Sequence, residues 1–73
     1  MNKYDVGSNA GIIWNLLAEK NGKLSLTQIK EETGFELIEL MLALGWLLRE
    51  GKITEFIENN EPIISLVYSD YYF

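Results

Sequence analysis

Hydrophobic residues recur at the spacing of an α-helix in the first third of the chain. They are Val6, Ala10, Ile13 and Leu17. This stripe predicts a first helix over residues 6–20, with Asp5 as its N-cap and Asn21-Gly22 as its stop. Gly11 lies inside this helix, where glycine costs about 1 kcal/mol relative to alanine. We therefore expect Gly11 to lie on the buried face, where it lets another backbone approach closely.

Two further helices are predicted close together in the middle of the chain. Ser25 and Gln28 have the spacing of a capping box, which predicts a helix over residues 26–33 that ends in a left-handed turn at Gly34. The next helix is predicted from residue 36 to residue 50, and its core side holds Leu40, Ala43, Leu44 and Leu47. Only one or two residues separate these helices, which is typical of a helix-turn-helix.

The last third of the chain changes to residues that favour strands. Strands are predicted over residues 52–58 and 62–69, with a turn at residues 59–61, and together they form a β-hairpin. A short extended segment at Lys23-Leu24 precedes the second helix. This order predicts an α+β fold: a winged helix-turn-helix of three helices with a short strand and a C-terminal β-hairpin wing. Residues 1–73 are predicted to be a single domain, with flexible ends at 1–5 and 70–73.

Two segments carry a resemblance to a known family. They are Ala10-Gly11-Ile12-Ile13-Trp14 and the run from Ala43 to Ile53, which contains Gly45-Trp46 and Glu50-Gly51-Lys52. With these segments the chain resembles a family of small bacterial winged helix-turn-helix proteins of uncharacterised function, over roughly residues 6–67. The resemblance implies the fold and a tendency to pair, but no activity. Both tryptophans are expected to cover the core rather than to stack on a ligand. Gly45 indicates either close packing or a kink.

The charge distribution opposes DNA binding. The net charge is −5, from six Lys and Arg against eleven Asp and Glu. Glu36 and Glu39 begin the helix that would enter the major groove, and Lys52 stands only at the base of the wing. A usual DNA-binding protein neutralises roughly 6–10 phosphates. DNA binding is therefore the alternative hypothesis: a transcription regulator that uses the helix at residues 36–50. Its candidate phosphate contacts are Lys20, Lys23 and Lys30.

The sequence contains no pattern that predicts catalysis. It has no cysteine and no histidine, no phosphate loop and no dinucleotide fingerprint, so we expect no enzymatic activity, no cofactor and no metal site. The pairs Glu31/Glu32 and Glu36/Glu39 are expected to be solvated helix surface rather than acid–base groups. The N-terminal residues lack the pattern of a signal peptide, and no apolar stretch is long enough to span a membrane. The expected location is the cytoplasm.

The distribution of exposed apolar residues predicts self-association. A small domain without disulfides or metals often depends on it. In the third helix, Leu37, Met41 and Leu42 place apolar residues outside the core side. The C-terminal Tyr71, Tyr72 and Phe73 pack either on their own domain or against a partner. These six residues are the predicted contacts of a homodimer or of another protein partner.

Overall fold

A computed structural model describes residues 5–67 of the chain. Within this range the elements are α1 (Val6–Glu19), β1 (Lys23–Ser25), α2 (Leu26–Thr33), α3 (Leu37–Arg49), β2 (Ile53–Glu58) and β3 (Glu61–Leu66). The predicted order of helix, short strand, helix, helix and hairpin is therefore confirmed. The protein has the α+β architecture of a winged helix-turn-helix.

Local hydrogen bonds at the helix ends follow from the residues placed there. The Ser8 N–H donates to the Asp5 carboxylate at 3.1 Å, which caps α1. At α2, the Gln28 N–H donates to Ser25 Oγ at 3.0 Å, and the Ser25 N–H donates back to Gln28 Oε1 at 2.9 Å. This reciprocal pair is the predicted capping box. Gly34 has a φ of 70°, the predicted left-handed turn that separates α2 from α3.

The loop of the wing is one residue shorter than predicted. Asn59 and Asn60 have φ angles of 53° and 62°, which form a two-residue loop of type I′. Glu61 therefore pairs with Glu58 and begins β3 instead of belonging to the turn. Asparagine adopts the left-handed conformation more readily than most residues, because its short polar side chain can form local hydrogen bonds. The backbone of a type I′ loop also matches the right-handed twist of the two strands that it joins. β3 ends at Leu66; the predicted strand ran to residue 69, and residues 68–69 lie outside the described range.

The sheet places β3 between the other two strands, in the order β1-β3-β2. Both pairings are antiparallel. The inner face of this sheet packs against the three helices, and the buried residues Ile13, Leu17, Ile29 and Leu40 have no exposed surface. Leu44 and Leu47 join them from α3, as predicted. One side of α3 is therefore buried in the core, and the opposite side is exposed to solvent.

Two helical glycines do not have the packing role that the sequence indicated. Gly11 and Gly45 are both exposed, and a Cβ built on either would meet no atom of residues 5–67 within 4 Å beyond its own helical turns. The expectation that Gly11 lies on the buried face is therefore wrong. Close packing against the described residues does not explain Gly45 either.

Opposite effects are expected when alanine replaces Gly11 and Gly34. Gly11→Ala should raise the free energy of unfolding by about 1 kcal/mol, because alanine favours the helix and has open space there. Gly34→Ala should lower it by about 1–2 kcal/mol, because a side chain is strained at φ 70°. Urea denaturation followed by circular dichroism measures both changes. Destabilisation by Gly11→Ala would contradict the open surroundings described for this residue.

Candidate interaction surface

The side of α3 that faces solvent is apolar. Leu37 is 61% exposed and Ile38 is 52% exposed. We name the exposed set the α3 apolar face: Leu37, Ile38, Met41, Leu42 and Leu48. At 3.6 residues per turn these positions span an arc of about 140°. Gly45 lies near the middle of that arc. Because glycine has no side chain, the centre of the face is recessed. Arg49 is the charged residue that shares the arc.

Three of the six predicted contact residues lie on this face. Leu37, Met41 and Leu42 are all exposed, as the helical pattern indicated. Ile38 and Leu48 were missed, although the same periodicity places them on the same arc. The predicted contacts Tyr71, Tyr72 and Phe73 lie outside the described residues.

A groove of about 510 Å³ runs between the helices and the wing, beside the α3 apolar face. Its lining residues are Leu26, Met41, Leu44, Gly45, Leu48, Thr54, Glu55, Pro62 and Ile64. Met41 and Leu48 belong to both surfaces, so the groove and the face are continuous. Glu55 is the lining residue that carries a charge. The groove is therefore an apolar cleft with a single acidic group on the wing side.

β2 forms an outer edge of the sheet and is largely exposed. Ile57 is 62% exposed, and Phe56 next to it is also exposed. The Lys23 ammonium lies 5.6 Å from the centroid of the Phe56 ring and 3.7 Å from a Glu58 carboxylate oxygen. One face of β2 thus holds a small polar and aromatic cluster, while Ile57 on the other face has no such cover.

The two tryptophans contribute unequally to the core. Trp14 is half-buried and packs against the core, as expected. Trp46 is about half exposed, so it covers less of the core than the sequence indicated. Both line a second groove of about 270 Å³ between α1 and α3, which also contains Gly7 and Lys52. Apart from Lys52, its described lining comes from α1 and α3.

The basic residues do not gather on the helix-turn-helix. Lys20 follows α1, Lys23 lies in β1 and Lys30 lies in the last turn of α2, and all are exposed. Lys23 is the one paired with Glu58. At the start of α3, the Glu36 N–H donates to the Glu39 carboxylate at 2.9 Å. The first turn of the helix that other winged-helix proteins direct at DNA therefore presents carboxylates.

The described residues give little indication of catalytic or membrane chemistry. In the range 5–67, no group of three or more acidic side chains is close enough to hold a metal ion. None of the helices there is long and apolar enough to cross a membrane.

This combination of fold and surface defines a winged helix-turn-helix domain. The chain belongs to the winged helix-turn-helix domain family DUF2582, whose model matches residues 1–66. It is 34% identical to an uncharacterised protein of Methanocaldococcus jannaschii over 64 residues, which cover 84% of this chain and 89% of the relative. The resemblance to an uncharacterised winged-helix family is thereby confirmed.

Two solved structures are similar to this fold. A Bacteroides thetaiotaomicron protein, solved by NMR in solution, has a TM-score of 0.76 and 30% sequence identity, covering 100% of this chain and 87% of its own. A HOP2 structure has a TM-score of 0.66 and 28% identity, covering 81% of this chain and 98% of its own. That structure concerns the DNA recognition and protein interaction domains of HOP2 and its homologous DNA pairing properties.

Proposed function

We propose that this protein is a non-enzymatic winged-helix module that forms a homodimer and acts through protein contacts. The observation that carries the proposal is the α3 apolar face together with the apolar groove beside it. In a DNA-binding winged helix this helix surface is polar and basic, because it meets phosphates and base edges. Here the exposed arc of α3 holds five apolar side chains and Arg49.

The size of the exposed apolar surface supports a protein partner. The five side chains of the α3 apolar face and Ile57, which lies on the same face of β2 as Glu55, leave roughly half of their surface in water. If a whole large side chain offers about 200 Å², these six expose on the order of 600 Å². The largest apolar patch of a monomeric protein is typically about 300–600 Å². One partner's surface in a stable complex is about 800 Å². The exposed apolar area is therefore at the upper end of the range for a monomer and approaches the surface that a partner buries.

The small size of the domain favours a second copy as the partner. A 73-residue chain without cysteine or histidine has neither disulfides nor the usual metal ligands to support its core. Burying the α3 apolar face against an identical face would supply the missing apolar burial. A two-fold arrangement also closes the assembly, so no further copies are added.

Sedimentation velocity at tens of micromolar tests the proposal. We expect the protein to sediment at twice its chain mass of 8.4 kDa. Dilution into the nanomolar range, followed by fluorescence of Trp14 and Trp46, should then reveal dissociation. A single species at the chain mass across the whole range would refute the homodimer.

DNA binding is the second candidate, and the similarity to the HOP2 structure favours it. The charge distribution opposes DNA binding, because residues 31–61 hold eight glutamates against Arg49 and Lys52. Non-specific DNA affinity comes mainly from the neutralisation of phosphates by basic residues, so a surface with this net negative charge should bind DNA weakly.

An electrophoretic shift assay with random duplex DNA at low salt separates the two candidates. We expect no shift at micromolar protein, because few cations are placed to neutralise phosphates. The double variant Lys20→Glu/Lys30→Glu is the control, since it removes two of the three candidate phosphate contacts. A shift by the wild-type protein that weakens steeply with salt and disappears in this variant would establish the DNA-binding alternative.

A further inference from the structure

The outer edge of β2 presents a defined set of free backbone groups. The Val67 N–H donates to the Lys52 carbonyl at 2.9 Å across the hairpin. Hydrogen-bonded pairs alternate along an antiparallel ladder, so Thr54, Phe56 and Glu58 also direct their backbone groups towards β3. The intervening residues Glu55 and Ile57 direct their N–H and C=O groups away from the sheet. Within residues 5–67 no other strand pairs with this edge.

We propose that β2 pairs in antiparallel fashion with β2 of a second copy, with Phe56 on the two-fold axis. The inference rests on the homodimer proposed above and specifies how its subunits join. The two three-stranded sheets then form one continuous sheet across the dimer. An exposed edge strand with apolar side chains is a template for such pairing, which charged side chains oppose. β2 contains three apolar residues, no proline and no lysine, and its charged residues are Glu55 and Glu58. The register must therefore keep these carboxylates apart.

Hydrogen bonding, charge and the length of the paired segment together select the register, since an axis on Thr54 would pair only residues 53–55 of β2. Bonded pairs across the dimer must use the outward groups, so Glu55 of each copy pairs with Ile57 of the other. Phe56 then faces its own counterpart in a non-hydrogen-bonded pair, where side chains approach most closely and aromatic pairs are favourable. Centring the axis on Glu55 would set two carboxylates directly opposite each other, which is destabilising. Centring it on Ile57 would require Asn59, which the φ of 53° removes from the strand.

This pairing also covers the apolar surfaces that lie beside the strand. A two-fold axis between antiparallel edge strands is perpendicular to the sheet. Both α3 helices therefore lie on the same face of the continuous sheet. The groove that contains Met41, Leu48 and Glu55 adjoins β2 on that side. The β2 edge, the groove and the α3 apolar face therefore form one continuous interface. Ile57, which is 62% exposed in the single chain, becomes covered at its centre.

Single cysteines test the register, because the chain has no cysteine of its own. In the proposed dimer the two copies of residue 56 are about 4.5 Å apart at Cα, within the roughly 4.4–6.8 Å range of a disulfide. Phe56→Cys should thus convert most of the protein to a disulfide-linked dimer under mild oxidation. Thr54→Cys is the matched control: its copies would be four residues out of register, about 14 Å along the strand. It should remain unlinked alone and should form linked heterodimers when mixed with Glu58→Cys.

A second pair of variants tests the backbone hydrogen bonds without any cross-link. Glu55→Pro removes an outward N–H that no hydrogen bond within residues 5–67 uses, so the fold should persist by circular dichroism while the protein sediments as a monomer. Glu55→Ala removes the carboxylate but keeps the N–H, and it should remain a dimer. If the wild-type protein is a dimer but Glu55→Pro also dimerises, or Thr54→Cys links as readily as Phe56→Cys, the edge pairing is wrong and the homodimer stands. If the wild-type protein is a monomer at every concentration, both proposals fail.

Discussion

Replacing Leu17 with alanine is expected to leave most of the protein unfolded at room temperature. Leu17 is fully buried between α1 and the rest of the core. Truncating such a leucine costs about 2–5 kcal/mol, through lost burial and the cavity that remains. A single core of this size supplies only about 3–5 kcal/mol of net stability. The loss is therefore comparable to the whole stability of the domain.

Ile12→Ala is the matched control for this prediction. Ile12 lies in the same helix and is 50% exposed. Its truncation removes a similar number of atoms but creates no cavity, so the free energy of unfolding should change by no more than about 0.5 kcal/mol. Chemical denaturation at one fixed protein concentration compares the two variants. Equal effects of Leu17→Ala and Ile12→Ala would show that the core is not where the structure places it.

Replacing Met41 with glutamate is expected to dissociate the proposed homodimer without unfolding the subunit. Met41 lines the groove and belongs to the α3 apolar face, and it is 41% exposed in the single chain. The added carboxylate would be desolvated in the interface, and the described lining of the groove holds Glu55 but no basic residue to pair with it. We expect the dissociation constant to rise by at least about 100-fold, or about 2.7 kcal/mol.

Sedimentation equilibrium measures this change, and Ala18→Glu provides its control. Ala18 is an exposed residue of α1, outside both grooves. Its replacement adds the same charge to the same kind of secondary structure, so the dimer should persist. Circular dichroism should show the same helical content in both variants. If Met41→Glu dimerises with unchanged affinity, the α3 apolar face is not part of the interface.

Most of the fold could be predicted because its signals are local. The cap at Asp5, the capping box at Ser25 and Gln28, and the turn at Gly34 each depend on residues within a few positions of one another. Helical periodicity located the core side of α3 for the same reason. The boundary error at Glu61 arose because the type I′ loop can be recognised only once the two strands are paired.

The candidate site was predictable only in part. Periodicity indicated that α3 carries apolar residues on more than one side, and Leu37, Met41 and Leu42 are indeed exposed. The groove could not be predicted, since it requires α2, α3 and both wing strands to meet. The free edge of β2 likewise depends on strand order, because the sequence alone does not reveal that β3 takes the central place.

The amino-acid sequence alone determined the element order, the helix caps, the fold class and the net negative charge of residues 31–61. Each of these depends on neighbouring residues or on composition. Tertiary structure alone decided which apolar residues remain in water. It left Trp46, Gly11 and the α3 apolar face exposed, and it set β2 at the rim of the sheet. The physical reason is that burial depends on contacts between distant segments, and the pattern along one helix cannot show which of its sides will find a partner.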